Sequence, residues 1–243
     1  MEYRYNDSEA MSEITLYHGS ESIIKKPLFN AGNPKNDYGC GFYCTENIEL
    51  AKEWGCSEEK DGFANKYVLD TNGLSVLNLS DSRYSILNWL AILLENRTFN
   101  IVSEVAIDVK EYLLQNFLVS YQNYDVIKGY RADDSYFSFA NAFLNNMISL
   151  QKLNEAMYLG KLGEQIVIKS KNAFSRIKYV SSFSAERSVY YPKKMNRDIS
   201  ARKAFFEMRS LSEIKNKDAV FAMDIIREGM LNDDMRIPSV LFE

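Results

Sequence analysis

Histidine and cysteine are few in the 243-residue sequence, and the cysteines cluster. One histidine, His18, stands in a Leu16-Tyr17-His18-Gly19-Ser20 segment, and three cysteines, Cys40, Cys44 and Cys56, fall within 17 residues. Four such ligands could in principle close a tetrahedral zinc site, but C-x3-C-x11-C lacks the C-x2-C knuckle. The cysteines are therefore read as small buried hydrophobes carrying reduced thiols, and no metal is expected. A single histidine and no G-x-S-x-G segment argue against a Ser-His-Asp hydrolase. Neither a Walker A sequence nor G-x-G-x-x-G occurs, which argues against P-loop and dinucleotide-fingerprint sites. What is left is a scattered polar and aromatic set: His18, Gly19 and Ser20; Asp37, Tyr43 and Thr45; Trp54; Arg131, Asp133 and Asp134; and the adjacent pair Glu164 and Gln165.

The elements that must position these residues follow from pattern. Ile14 to Ser20 reads as a strand ending in a Gly-Ser turn, and Gly41 to Thr45 as another strand. Between them, Pro27, Gly32, Asn33 and Pro34 punctuate a loop. Thr45 is positioned to cap a helix over 47–54, with Ile48, Ala51 and Leu50 turned inward. Strands over 66–69 and 74–79 flank Asp70-Thr71-Asn72-Gly73, a hairpin signal. Helices are expected over 82–96 and 100–115, a strand over 124–129, one long helix over 138–159, and strands over 165–169 and 177–180. From Ser184 onward the pattern is helical, best over 201–208 and 218–231.

Three of these pieces, taken in order, resemble the diphtheria-toxin and poly-ADP-ribose-polymerase branch of the ADP-ribosyltransferases, whose signature is His, Tyr and Glu on three strands. Within that fold the sequence is similar to an uncharacterised bacterial family showing L-Y-H-G-S, D-[FY]-G-x-G-F-Y-x-T, A-x-x-W, Y-D-x-I-x-G-x-x-A-D-D and a strand that begins with Gln. Here these are residues 16–20, 37–45, 51–54, 124–134 and 165–168. The resemblance implies an α+β fold with a split β-sheet core over residues 12–183; beyond it, the helical pattern gives a C-terminal extension over 184–243. It also implies NAD as co-substrate. On that likeness His18 bonds the adenosine ribose, Gly19 holds the carboxamide, Tyr43 stacks on the nicotinamide and Trp54 is a second aromatic. Asn36, Asp37 and Tyr38 line the loop over the cofactor. The branch's Glu is replaced: the register that also matches Ser170 and Ala173 places Gln165 there, and a slip by one places Glu164 there. Adjacent strand residues face opposite ways, so only one can serve. Glutamine bonds a ribose hydroxyl but brings no negative charge.

A net charge of −4, with 26% charged and 46% hydrophobic residues, fits a folded domain and gives no overall basic footprint for nucleic acid. Residues 184–217 are the exception, with nine Lys or Arg against four Asp or Glu. This reads as a solvated helix face or as a docking surface for an acidic partner or for nucleic acid, and the C-terminal helices are a candidate surface for a cognate antitoxin or other partner protein. No apolar run is long enough to span a bilayer and the first 13 residues have no signal core, so a cytoplasmic, membrane-free protein is expected. The resulting expectation is a mono-ADP-ribosyltransferase acting on a protein or nucleic-acid acceptor. An NAD glycohydrolase, a non-catalytic NAD or ADP-ribose module and a zinc-stabilised interaction protein are the alternatives.

Overall fold

A computed structural model of the chain describes residues 13–132, 134–159, 163–210 and 218–238. It is an α+β structure with two sheets. The first is antiparallel, in the order β1 (Glu13–Ser20), β3 (Gly62–Asp70), β7 (Ile177–Ala185). The second runs β2 (Phe42–Cys44), β6 (Glu164–Ile168), β5 (Val126–Tyr130), β4 (Val76–Asn78). All its pairs are antiparallel except β4 with β5.

The two sheets meet at one residue pair. Tyr17 N donates to Thr45 O at 2.8 Å, and Thr45 N donates to Tyr17 O at 2.9 Å. Strand alternation then assigns each face. Tyr43 lies opposite Val167, and Gln165 opposite Gly129, on the face shared with Tyr17 and Gly19. Leu16, His18, Phe42, Cys44, Glu164 and Ile166 fall on the other. Two cores confirm the division. Val167 and Ile127 pack with the helices in the larger core, whereas Leu16, Phe42, Cys44, Tyr67 and Ile166 form the smaller.

Helix α1 (Ile48–Gly55) lies against β1 so closely that a Cβ at Gly19 would stand 2.1 Å from Ala51 O and 2.7 Å from Gly55 N. Glycine at 19 is thus a packing requirement. The cap of α1 is Asn47, which accepts from Glu49 N at 2.9 Å and Leu50 N at 3.2 Å. Thr45, expected there, instead accepts from Asn47 N, because its main chain is committed to the bridge. Leu50 and Ala51 are buried as expected, and Ile48 only partly.

The Asp-Thr-Asn-Gly turn after β3 does not close a hairpin. Asp70 N- and C-terminal neighbours belong to different sheets, and β4 pairs with β5 instead. Parallel pairing of β4 with β5 needs a long crossover, supplied by α2 (Ile86–Asn96) and α3 (Glu104–Asn116). The stretch from Ile86 to Leu94 is buried throughout, so α2 forms the centre of the larger core. No helix among the described residues is long and apolar enough to cross a membrane.

The long helix expected over 138–159 is two, α4 (Asp134–Leu144) and α5 (Leu150–Ala156). Asn146 takes a left-handed φ of 58°, and Ser149 caps α5 by accepting from Lys152 N. After α6 (Lys171–Arg176), β7 runs on to Ala185, beyond the expected 180. The C-terminal residues form α7 (Arg187–Ser210) and α8 (Ala222–Glu228). Ala201, Phe205, Val220 and Ile225 pack into the same core as α2. A buried pair fastens α7 to α1: the Arg197 guanidinium meets both Glu53 oxygens at 2.8 and 3.0 Å. Lys215 and Lys217, at the end of the basic segment, lie outside the described residues.

One buried amide organises the β1–β2 loop. Asn65 Nδ2 faces His18 O, Ser20 Oγ and Ser22 O at 3.3, 2.9 and 3.2 Å, while its Oδ1 accepts from Ile24 N and Ser182 Oγ at 3.2 and 2.8 Å. Asn65→Ala removes all five of these bonds from part-buried and exposed groups around the buried amide. It is expected to lower unfolding free energy by about 2–3 kcal/mol with an unchanged m-value in urea titrations.

Candidate functional site

The bridge between β1 and β2 is short, and past it the sheets part. Tyr17 turns its peptide groups toward β2; by alternation the Gly19 N–H and C=O point the same way, where β2 no longer runs alongside. On that face a cavity of about 200 Å³ opens. Its walls come from the β1–β2 loop (Asn36, Asp37), β2 (Tyr43), α1 (Trp54), the residue after α2 (Arg97), the segment after β5 (Arg131, Ala132) and β6 (Gln165).

Gln165 is nearly buried and held by both amide hydrogens: Nε2 donates to Asp37 Oδ2 and to Tyr130 O, each at 3.0 Å. Both partners are acceptors, which fixes the amide orientation and leaves Oε1 as the atom not used in these bonds. Tyr130 O also accepts from Tyr38 Oη at 2.8 Å and Trp89 Nε1 at 3.2 Å. Glu164, the other candidate for this position, faces away. It accepts from Ser80 Oγ and pairs with Lys128 at 2.8 Å on the opposite side of the sheet. The slipped register is thereby corrected, because alternation allows one neighbour and not the other to reach the cavity.

Asp37 Oδ2 accepts from Ala132 N at 3.0 Å in addition to Gln165, and its Oδ1 stands 3.5 Å from Arg97 Nη1. Burial raises this carboxyl above its ordinary range, against the pull of Ala132 N–H, Gln165, Arg97 and Arg131. The loop that carries it is pinned in three ways. Lys169 Nζ donates to Tyr38 O at 2.6 Å and Cys40 O at 2.7 Å. Tyr43 Oη donates to Gly39 O at 2.6 Å and accepts from Tyr38 N at 3.1 Å. Gly39 supplies the φ of +74° this tight course requires. The Tyr43 hydroxyl is therefore occupied structurally, burial holds it protonated, and its ring is what it offers to the cavity.

Trp54 closes the opposite wall. Its indole Nε1 is buried without a hydrogen-bond partner among the described residues, and the Arg131 guanidinium lies 4.2 Å from its ring centroid. A flat cation already stacks where the sequence predicted a flat base. Asp133 lies outside the described residues, and Asp134 is the first residue of α4.

His18 does not line the cavity. Its ring stacks on Phe42 at 4.3 Å on the other face, and Nδ1 lies 2.7 Å from Tyr43 O. A carbonyl only accepts, so Nδ1 carries the proton and Nε2 is left as an acceptor. Burial draws the imidazole below its ordinary value, with the Tyr43 carbonyl opposing. Gly19, Ser20 and Thr45 also do not line the cavity: Gly19 packs against the α1 backbone, Ser20 Oγ donates to Ser22 O and Thr45 Oγ1 accepts from Asn47 N. The Ser20 and Thr45 side chains hold turns.

Among the described residues no group of three or more His, Cys, Asp or Glu is arranged to hold a metal ion. The zinc grouping is not assembled: Cys44 sits in the smaller core, Cys56 Sγ meets Ala185 O at 3.2 Å and Cys40 Sγ meets Gly32 O at 3.2 Å. Sequence reasoning missed Arg97 altogether. It follows the last turn of α2, and nothing local marks it as facing a loop 60 residues earlier.

Residues 14–179 match the family model described as a protein of unknown function (DUF3990), and the chain belongs to that family. No curated protein and no solved structure matches it.

Because His18 is the lone histidine, its titration is directly readable. Its imidazole resonance should titrate with a midpoint below the ~6.5 of an exposed histidine. With a lowered folded value, the unfolded chain binds more protons between the two pKa values, so this group makes stability fall as pH drops through that window. Denaturant titrations from pH 7.5 to 5 should show the loss, and His18→Gln should remove that part of the pH dependence. A midpoint at or above 6.5 contradicts the buried, neutral ring.

Proposed function

We propose that this DUF3990 chain binds NAD across the split between its sheets and transfers ADP-ribose to a macromolecular acceptor, releasing nicotinamide. The observation that carries the reading is the convergence of Tyr43, Trp54 and Gln165, from β2, α1 and β6, on one cavity. The ordered motifs that resemble the ADP-ribosyltransferases predicted these three residues. The two-sheet architecture joined at one bridge is compatible with the split core of that fold.

In this reading the nicotinamide ring enters between Tyr43 and Trp54, taking the place of the Arg131 guanidinium on the indole. By the resemblance the Gly19 main chain serves the carboxamide, and Gln165 Oε1 accepts a hydroxyl of the adjoining ribose. His18, on the far side of the strand layer, offers Nε2 to the adenosine end.

The reaction breaks the bond between ribose C1′ and the pyridinium nitrogen. The electron pair leaves with nicotinamide, which becomes neutral, and positive charge spreads over C1′ and the ring oxygen. An acceptor O–H or N–H then bonds C1′ and gives up its proton. With water as acceptor the same step yields free ADP-ribose. The protein contributes by orienting the dinucleotide and by placing fixed dipoles beside the developing charge. A DUF3990 protein of this kind would act as a toxin or defence component, with the basic face of α7 as the surface for an acidic partner.

Nicotinamide release from NAD, with labelled NAD followed into lysate protein and nucleic acid, tests the reading. Gln165→Ala and Trp54→Ala are each expected to lower kcat/KM by about tenfold or more. Glu164→Gln, on the opposite face, should stay within about twofold. Label found only in free ADP-ribose converts the assignment to glycohydrolase. Calorimetric binding of NAD without turnover converts it to a binding module.

A further inference from the structure

The cavity wall carries a carboxylate that is not on the strand where the resemblance places the acid. Asp37 is the one acidic residue among those lining it. It is 6% exposed and hydrogen-bonded to the amide of Gln165, the residue standing in the acid's place. Resting on the NAD reading above, we infer that Asp37 is the positioning carboxylate of this site, and that Asp37 and Gln165 together do the work of a single glutamate.

The chemistry follows from the bond direction. Gln165 Nε2–H points at Asp37 Oδ2, so the carboxylate polarises the amide and increases the negative character of Oε1, the atom facing ligand. A ribose hydroxyl bonded to Oε1 then meets a stronger acceptor than an isolated glutamine. The full negative charge stands one residue behind. Tyr130 O, taking the second amide hydrogen at 3.0 Å, prevents the amide from turning over. A glutamine alone would leave the cationic sugar without a counter-charge in the cavity; Asp37 supplies it through one hydrogen bond. No atom is transferred to or from Asp37.

The charged and titratable groups facing Asp37 are few. Arg97, at 3.5 Å, and Arg131 favour its ionised form, and Ala132 N–H does the same. Tyr38 and Tyr43 are held protonated by burial, and Lys169 is directed to the Tyr38 and Cys40 carbonyls. Activity should therefore rise with pH as Asp37 ionises, with a midpoint above that of an ordinary aspartate. His18 also titrates on the acid side but on the other face, and it is unchanged in the variants below.

The test is steady-state nicotinamide release across pH 4.5–8 by wild type, Asp37→Asn and Gln165→Glu. Asp37→Asn should lower kcat by about tenfold or more, leave KM within about threefold, and remove the Asp37 part of the acid limb of kcat. Gln165→Glu alone sets two carboxylates within hydrogen-bond reach, so they share a proton and the acid limb moves to higher pH. That result does not require the Asp37 variant to fold.

Wild-type turnover with Asp37→Asn folded and equally fast, or slowed through KM only, overturns this inference and leaves the NAD reading standing. So does Gln165→Glu with an unmoved limb. Wild type that releases no nicotinamide overturns both.

Discussion

Two reciprocal hydrogen bonds between Tyr17 and Thr45 are the point on which the rest of the structure turns. Had β1 and β2 paired along their length, the seven strands would form one continuous sheet and the Gly19 main chain would be spent on a ladder. With a single bridge, the sheets are tied in register and then released. The face of each side chain is set at the tie and propagates outward by alternation, to Tyr43 and Gln165 on one side and His18 and Phe42 on the other. Past the bridge, other groups take the place of strand pairing. Asn65 takes up the polar groups of the loop after β1, and Lys169 those of the loop before β2.

The cavity is polar in a way a protein interior tolerates only when the groups are paired. Asp37, Gln165 and the Tyr130 carbonyl lie within one connected set of hydrogen bonds that reaches Tyr38 and Trp89. Each member is oriented by partners on another element, so the β1–β2 loop, β5, β6 and α2 all bear on one amide. Such a set resists rearrangement, because moving any member strands a buried donor or acceptor. The same burial that makes it rigid raises the Asp37 carboxyl and holds the Tyr43 phenol protonated. Rigidity and shifted proton affinity have a single cause here.

Local patterns were legible in the sequence wherever one segment sufficed. β1, β2 and β6 ran within a residue or so of their expected bounds, and α1 began after a polar cap, though Asn47 rather than Thr45. The errors arose where distant segments decide. Asp70 to Gly73 has hairpin composition, but β5 offers β4 a buried parallel neighbour, and the turn becomes a passage between sheets. Asn145 and Asn146 fit a helix by period, yet Asn146 adopts the left-handed conformation that ends α4. In the site, Gln165 and Trp54 were found through ordered motifs, and Arg97 was invisible because its partner is fixed by tertiary packing alone.

His18 illustrates how a motif residue can hold its position and still change its meaning. The imidazole stands beside β2, its Nδ1–H donates to the Tyr43 carbonyl and its ring leans on Phe42. It thus supports from behind the strand whose other face carries the cavity aromatic. That arrangement couples the two sides. Losing the Nδ1 bond frees the carbonyl of the residue whose ring lines the cavity, one peptide away from the Thr45 bridge. The His18 ring and the shape of the cavity are therefore linked through one peptide group, without any change in the cavity's own hydrogen bonds.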